Sequence, residues 1–238
     1  TGEQADGKLD NNPYVFTPNA NKLAAFNALL KTELKRPASQ YYEFTEQFFA
    51  GNLTDDAWQS IAVQGLADFA FRLDHGQNSA NLAKAWTNLP QEVQQPLSAM
   101  LEHVEINTQL AELFFTQCEQ AIAENNINLL INNMRALSGS KAQGLKSQLV
   151  EQALASELGS QPDVLLTLAG RYWLCFEKPE ALFKLLDAAA NNEQIPELFP
   201  SIFADLVAIP SLRPHVLGIL RAENRSDTLS RAIGRLFS

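Results

Sequence analysis

Three polar residues recur every four positions along one stretch of the sequence: Gln64, Asp68 and Arg72. Residues four apart lie on the same face of a helix, so the Asp68 carboxylate and the Arg72 guanidinium can form an ion pair. The apolar residues around them predict a helix covered on two faces, which leaves the three residues as a polar seam. The seam is either a structural salt bridge, the interpretation we favour, or a partly enclosed surface that receives a partner.

Two arginines, Arg135 and Arg171, are 36 residues apart. This spacing matches an apolar recurrence in the same half of the chain, so stacked repeats would place the two side chains next to each other. Adjacent guanidinium groups can bind the carboxylates of a partner as an acid-binding ladder. The alternative, which we favour, is that each arginine pairs with a local acidic residue and has a structural role.

No residue pattern indicates catalysis or a bound cofactor. The histidines His75, His103 and His215 are not paired with other ligand types at helical spacing, which argues against a zinc site. His103 lies between Glu102 and Glu105, and we interpret this arrangement as a solvated helix face. We therefore predict a chain without metal or cofactor and without enzymatic activity, and the alternative is an enzyme whose catalytic groups converge from distant helices.

One segment and two cysteines have a possible chemical role that we do not favour. Residues 139–147, GSKAQGLKS, resemble a phosphate-binding loop with one residue too many. A working loop follows a strand, whereas this one follows a helical pattern, so we predict a helix–helix turn.

Cys118 and Cys175 are too few for a disulfide scaffold, and their apolar neighbours predict buried, reduced thiols and a cytoplasmic location.

Apolar residues recur about every 36 positions in the second half of the chain. The columns are Val93, Leu129, Leu165 and Ile202; Leu101, Leu137 and Trp173; and Leu110, Leu145, Leu182 and Leu217. Each period is long enough for two helices, and such a pair buries its apolar face only against neighbouring pairs. The recurrence predicts an all-α fold, a right-handed α–α superhelix of HEAT-like helical repeats.

The chain organisation follows from this recurrence. We predict a disordered lead over residues 1–12, an N-terminal helical cap over 13–89 and a helical-repeat region over 90–238, packed as one domain with the cap. Within the cap, Thr54 and the carboxylates after it predict the start of a helix whose apolar residues continue to Leu73. No stretch alternates with period two, so no sheet is expected.

The charge of the chain argues against several classes of partner. The net charge is −9 and the isoelectric point is about 4.9. From Arg213 onward five arginines face Glu223 and Asp227, so this end carries +3 and the remainder −12. An acidic body repels phosphates, which makes nucleic acid an unexpected partner. No apolar run is long enough to span a bilayer, so we expect no membrane insertion.

Several segments resemble a known family of uncharacterised proteobacterial proteins grouped as a domain of unknown function. They are Asn12–Pro18 (NPYVFTP), Tyr41–Glu43 (YYE), Trp58 with Gln64–Asp68 (QGLAD), Arg135–Gly139 (RALSG), and Ala169–Arg171 (AGR) with Trp173. Members of that family carry an additional N-terminal region, so the resemblance implies that this chain is the C-terminal portion of a longer protein. It also implies a bacterial cytoplasmic setting, and it assigns no reaction.

The combined observations favour a non-enzymatic protein-interaction or scaffold module. Helical-repeat stacks offer a long surface suited to extended partners, and we expect an unidentified protein partner. The candidate partner-binding residues are Gln64, Asp68, Arg72, Arg135 and Arg171. The alternative is a nucleic-acid-associated helical-repeat protein that uses the arginine ladder and the basic C-terminal end. The sequence does not determine the oligomeric state.

Overall fold

The computed structural model describes residues 19–237, which form two compact units that meet in sequence at Arg72 and Leu73. Both units consist of helices and connecting turns, and residues 19–237 contain no strand. The all-α prediction is therefore confirmed. The predicted disordered lead, residues 1–12, and the predicted start of the cap at Pro13 lie outside the described residues.

The first unit is built on three α-helices. They are α1 (Ala20–Glu33), α2 (Tyr42–Phe49) and α3 (Val63–Ala70), and α3 packs against both of the others. Its core combines alanines of α1 with larger apolar residues of α2 and α3. The rings of Phe49 and Phe69 stack at a centroid distance of 4.2 Å and join α2 to α3.

The helix predicted from Thr54 to Leu73 is interrupted in the structure. Asp55–Ser60 is a 3-10 helix, and the backbone is extended at Ile61 and Ala62 before α3 begins. The 3-10 helix buries no residue, whereas α3 buries six consecutive residues. Without a buried face, the earlier segment has no packing that would hold it in line with α3, so the local periodicity alone was misleading.

Gly65 allows α3 to approach α2 closely. A Cβ atom at this position would lie 2.8 Å from the carbonyl oxygen of Tyr41 and would overlap the Thr45 hydroxyl. A larger residue would push the two helices apart. Gly65 therefore fixes the position of the following turn of α3, which carries Asp68.

The second unit contains ten α-helices in the described residues. They are α4 (Asn78–Ala85), α5 (Gln91–Leu101), α6 (Thr108–Ala123), α7 (Ile127–Ser138), α8 (Gln143–Ala155), α9 (Pro162–Arg171), α10 (Pro179–Ala190), α11 (Leu198–Ala208), α12 (Arg213–Ile219) and α13 (Asp227–Arg235). Short 3-10 helices over Trp86–Asn88, Glu157–Ser160 and Trp173–Glu177 follow α4, α8 and α9.

Helices that are two apart in sequence pack against each other in this unit. One row consists of α5, α7, α9 and α11, and the other of α6, α8, α10 and α12. The rows are joined by contacts such as those of α6 with α7 and of α10 with α11. The last helix, α13, packs on α10. The apolar recurrence of about 36 residues therefore corresponds to one helix from each row.

The first and third predicted apolar columns lie on matching helices of these rows, whereas in the second column Leu101 and Leu137 lie on α5 and α7 but Trp173 lies in the 3-10 helix after α9. Val93, Leu165 and Ile202 are buried on α5, α9 and α11, and Leu129 is half-buried on α7. The third column follows the other row, but its last member, Leu217 on α12, is 42% exposed. The recurrence therefore identifies which helices stack, but at the C-terminal end it no longer predicts which residues are buried.

Side-chain caps fix where several of these helices begin. The side-chain Oδ1 atoms of Asn107 and Asn126 accept hydrogen bonds from the backbone N–H groups three residues later, at 2.9 and 3.1 Å. The Ser226 hydroxyl accepts the equivalent bond at the start of α13, at 3.0 Å. Each cap satisfies an N–H group that the first turn leaves unpaired.

The boundary between the compact units precedes the predicted boundary at residues 89 and 90. Residues 73–89 belong to the second unit, because Trp86 is fully buried there. The Trp86 indole packs edge-on against Phe114, with 4.7 Å between ring centroids, and donates a hydrogen bond from Nε1 to Asn133 at 2.8 Å. The packing of the cap and the repeats as one domain stays a prediction.

Candidate functional site

The carboxylate of Glu102 lies where three helices of the second unit end. Glu102 directly follows α5, Arg135 lies in the last turn of α7, and Arg171 is the last residue of α9. The three side chains meet because α7 packs against both α5 and α9. A carboxylate is unfavourable near the negative end of a helix dipole, whereas arginines are favourable there, so the two cations compensate the anion.

Both arginines bind the Glu102 carboxylate. Arg135 donates from Nε to Oε2 at 3.0 Å, and Arg171 donates from Nε to Oε2 and from Nη2 to Oε1, both at 2.9 Å. The Glu102 side chain is only 4% exposed, whereas Arg135 and Arg171 are 31% and 42% exposed. The anion is therefore enclosed while both cations reach the surface.

The surroundings of Glu102 act on its pKa in opposite directions. Burial raises the pKa of the carboxyl group, whereas hydrogen bonds from His103, Arg171 and Arg135 lower it. The hydrogen bonds outweigh burial, so the pKa of Glu102 lies well below its usual range. Glu102 is ionised at neutral pH, and with the two arginines it forms a cluster with one net positive charge.

We expected Glu102, His103 and Glu105 to lie on a solvated helix face, and this expectation is wrong for Glu102. The helix ends at Leu101, so Glu102 turns towards α7 and α9 instead of continuing an exposed face. The Nε2 atom of His103 lies 3.3 Å from Oε1 of Glu102, and the His103 side chain is half-exposed. Glu105 is exposed as expected and pairs with Lys141 at 2.6 Å.

A groove of about 420 Å³ lies along α5, α7 and α9 beside the cluster. Each of the three helices contributes polar side chains to it. Its lining residues are Gln91, Gln95, Asn128, Ile131, Asn132, Arg135, Asp163, Leu166, Thr167 and Arg171. This combination of amide, hydroxyl and charged groups suits hydrogen bonding to a polar ligand.

Two neighbouring asparagines on α7 differ in their hydrogen bonds. Asn133 is fully buried, accepts a hydrogen bond from Trp86 and donates one to the Leu129 carbonyl at 2.8 Å. Asn132 is 6% exposed and lines the groove, yet its side-chain amide makes no hydrogen bond within residues 19–237. Its polar atoms remain accessible to solvent through the groove, because in the described residues the buried side-chain atom that lacks a hydrogen bond is Gln152 Oε1. Asn132 therefore offers a donor group and an acceptor to a ligand that lies in this groove.

Arg135 also retains unused hydrogen-bonding capacity. Its Nε is held by Glu102, but within the part of the chain that the structure describes, Nη1 and Nη2 donate no hydrogen bond. The terminal edge of the guanidinium thus remains available in the groove. Arg171 is more fully engaged, because its Nη2 binds Glu102 and its Nη1 lies 3.4 Å from the Gly170 carbonyl.

Comparison with known families assigns the chain to one of them. The model for a family described as "Protein of unknown function (DUF3549)" matches residues 1–237. The chain belongs to the DUF3549 family. This confirms the predicted membership of a domain of unknown function. Neither the search of curated proteins nor the search of solved structures finds a match. The proteobacterial origin and the position within a longer protein stay predictions.

The sequence of this DUF3549 chain contains a signal for the groove that the apolar columns did not capture. Polar residues of the lining recur at 35 to 37 residues, in the same register as the apolar columns. These polar columns are Gln91, Asn128 and Asp163, and Gln95, Asn132 and Thr167. Successive members lie on α5, α7 and α9. Arg135 and Arg171 follow the same register, and both contact the Glu102 carboxylate, which corresponds to the favoured pairing with an acidic residue. Partner binding by the two arginines stays a prediction.

The predicted seam of the first unit has a different structure. Asp68 is fully buried and Arg72 is 3% exposed, and Arg72 Nη1 donates to Asp68 Oδ1 at 3.0 Å. The other carboxylate oxygen accepts a hydrogen bond from the Ser39 backbone at 2.9 Å. Gln64 donates to the Ala24 carbonyl at 3.3 Å. These bonds correspond to the structural alternative, and partner binding by the seam stays a prediction.

The remaining candidate groups of this DUF3549 chain are enclosed. Cys118 and Cys175 are free and buried as predicted, and burial raises the pKa of both thiols. Raised thiol pKa values disfavour the nucleophilic thiolate. In residues 19–237, no group of three His, Cys, Asp or Glu side chains is placed to hold a metal ion. Over the same residues, no helix combines the length and apolar character needed to cross a membrane.

The segment that resembles a phosphate-binding loop, residues 139–147, forms the turn between α7 and α8 and the first residues of α8, in agreement with the predicted helix–helix turn. Gly139 ends α7 so close to the preceding connection that an added Cβ would lie 2.5 Å from the Leu101 carbonyl oxygen. The buried ammonium group of Lys146 lies 3.3 Å from the Ser138 carbonyl and donates a hydrogen bond to it, and burial lowers the Lys146 pKa. The lysine therefore caps the end of α7 instead of presenting its charge to a ligand.

Proposed function

We propose that this chain is a non-enzymatic protein-interaction module, and that the groove along α5, α7 and α9 is its partner-binding surface. In this proposal the second unit is a HEAT-like helical-repeat stack with a right-handed superhelical turn, and the protein acts in the cytoplasm. The stacking of alternate helices supports the repeat character, because each helix pair packs against the next one. A right-handed rotation between successive helix pairs in an experimental structure is the expected result, and a left-handed one would contradict it.

Asn132 is the observation that carries the choice of surface. The residue as a whole is 6% exposed, it lines the polar groove, and its amide makes no hydrogen bond within residues 19–237 but still reaches solvent. A partner that lies in the groove can bind this amide together with the unbonded Nη groups of Arg135. The other row of helices contributes no residue to the groove.

The nucleic-acid alternative has no observation in its favour. The buried Glu102 carboxylate offsets one of the two arginines, and the chain as a whole carries −9. Strong phosphate binding needs several uncompensated cations. A fluorescence-anisotropy titration with duplex DNA should show no binding at physiological salt. Binding that falls steeply as salt increases would instead implicate the basic C-terminal end.

Site-specific photocrosslinking tests the proposed surface. A photoreactive phenylalanine analogue at Gln95, an exposed residue of the groove on α5, should crosslink a partner in cells that express the protein naturally. The matched control carries the analogue at Gln148, an exposed residue of α8 in the other row. Adding Asn132→Ala should weaken the crosslink from position 95. Equal crosslinking from both positions, unaffected by Asn132→Ala, would reject the groove.

A further inference from the structure

We infer that the groove along α5, α7 and α9 binds an extended peptide segment of a partner through an aspartate or glutamate side chain, which is held by Arg135 and Asn132. This inference rests on the proposed function and narrows it to a chemical class of partner. The carboxylate is the anchor, and the peptide backbone lies across the three helices. Four properties of the groove support it: the orientation of the Arg135 guanidinium, the Asn132 amide without an internal hydrogen bond in the described residues, the charge balance of the groove, and the distribution of its side-chain amides.

The geometry of Arg135 favours a carboxylate ligand. Glu102 accepts a hydrogen bond from Nε, which holds the guanidinium from one side and leaves the edge formed by Nη1 and Nη2 for a second acceptor. A carboxylate matches this edge with two parallel hydrogen bonds. Glu102 therefore acts as a positioning residue for Arg135, which would otherwise be free to sample many side-chain conformations.

Asn132 lies one turn before Arg135 on α7 and faces the same groove. Its NH₂ group can donate to the same carboxylate or to a neighbouring backbone carbonyl, and its oxygen can accept from a backbone N–H. Because the amide makes no hydrogen bond within residues 19–237 and reaches solvent, a ligand can replace water there without breaking an internal hydrogen bond.

The charge of the groove favours a singly charged acid over a phosphate. The charges of Arg135, Arg171, Glu102 and the exposed Asp163 carboxylate of the same groove sum to zero, so an anion is bound there through the directed donors of Arg135 and not through net attraction. A monoanionic side chain adds a single negative charge to this balance. A phosphate group, with a charge near −2, would be undercompensated and would be repelled by Asp163.

The amides of the groove favour an extended backbone next to the anchor. Gln91, Gln95 and Asn128 are exposed side chains on α5 and α7, and each offers one donor group and one acceptor, as a peptide unit does. Neighbouring helix axes lie about 8–10 Å apart, so three helices span roughly 16–20 Å. An extended chain covers that distance with about five or six residues.

A selection from a random peptide library tests this inference on the intact chain. Selected peptides are synthesised with blocked ends, so that a side chain supplies any carboxylate, and their affinities are measured by fluorescence polarisation. We expect the selected peptides to share an aspartate or glutamate. Replacement of that residue by asparagine or glutamine should weaken binding about tenfold or more.

Variants of the groove assign the carboxylate to its binding residues. Asn132→Ala removes an amide that makes no internal hydrogen bond in the described residues, so it should fold normally and still weaken binding. Arg135→Gln should weaken binding about tenfold or more. Arg135→Lys keeps the charge beside Glu102 and should also weaken binding, because lysine loses the paired donors. Arg221→Gln and Gln148→Ala change exposed residues outside the groove and should leave binding unchanged.

The outcomes distinguish this inference from the proposed function. If the groove variants weaken peptide binding but the acid-to-amide change in the peptide has no effect, the carboxylate anchor is wrong and the interaction surface stands. If no selected peptide responds to any groove variant, both are wrong. If a phosphopeptide or an oligonucleotide displaces the acidic peptide more strongly than the peptide displaces itself, the groove binds phosphate and the inference is overturned.

Discussion

The two units of this chain contain arginine–carboxylate clusters that differ in how completely they are enclosed. In the first unit, Asp68 and Arg72 are both buried, and internal groups bind both carboxylate oxygens. In the second unit, Glu102 is buried but Arg135 and Arg171 are partly exposed. The first cluster is closed to further ligands, whereas the second holds its anion inside and directs a cation outwards.

This difference shows why an ion pair indicates function only together with its environment. Asp68 and Arg72 are one helical turn apart and join an adjacent loop to α3 through Ser39. Glu102, Arg135 and Arg171 come from three helices and meet beside a groove that also contains an unpartnered amide. The first arrangement stabilises its own unit, and the second has donors left for a ligand.

The largest effect should follow from breaking the closed pair. We expect Asp68→Ala to lower the free energy of unfolding by roughly 3–5 kcal/mol, because it leaves the buried Arg72 guanidinium without its counterion. Urea unfolding followed by circular dichroism measures this loss, and hydrogen exchange of α3 reports on the first unit separately. Gln64→Ala, at the half-buried end of the seam, is the control and should cost under about 1 kcal/mol. A similar small loss for Asp68→Ala would mean that the pair is not an enclosed one.

A smaller effect should follow in the open cluster. Glu102→Gln keeps the size of the side chain but removes the charge that both arginines bind, and we expect a loss of about 1.5–3 kcal/mol. The loss should be smaller than for Asp68→Ala because water can solvate the partly exposed arginines. The control is Glu105→Gln, which removes an exposed ion pair with Lys141 and should cost under about 1 kcal/mol. A loss as large as that of Asp68→Ala would remove the distinction between the clusters.

The pH dependence of stability should show the contribution of Glu102. Its pKa is lowered in the folded state from an ordinary value of 4.5, so its stabilising effect is fully present above that pH. It should be lost as the pH falls below 4.5, because the unfolded state then binds the proton first. Unfolding curves of the wild type and Glu102→Gln should therefore converge on acidification. Parallel curves would show that the pKa is not lowered.

The sequence predicted the meeting of Arg135 and Arg171 but not their common partner. The 36-residue register places the two arginines on adjacent helices whatever the details of packing, as it does for Val93 and Leu129. Glu102 has no such register with them, and its burial depends on α5 ending at Leu101, which follows from packing around the next connection.

The position at which the two compact units meet depends on contacts that local sequence patterns do not show. The second unit includes Trp86 because its indole packs on Phe114 and bonds to Asn133, partners more than twenty residues away in sequence. In the first unit, the apolar periodicity from Trp58 onward did not reveal the break before α3, because the periodicity does not show which turns have a buried face. Long-range packing decided both features.

The smallest effect on stability should come from the residue most important for the proposed groove. Asn132→Ala should change the free energy of unfolding by less than about 0.5 kcal/mol, because no hydrogen bond of the described residues is lost. Asn133→Ala, one residue further along α7, should cost roughly 1–3 kcal/mol, because the Trp86 indole N–H then loses its buried acceptor. Thermal and urea unfolding of the two variants measure the difference. A large loss for Asn132→Ala would show that its amide supports the fold, and the groove would then resemble the closed cluster. A negligible loss, together with weaker binding of the selected peptides, would show that Asn133 supports the fold whereas Asn132 binds a ligand in the groove.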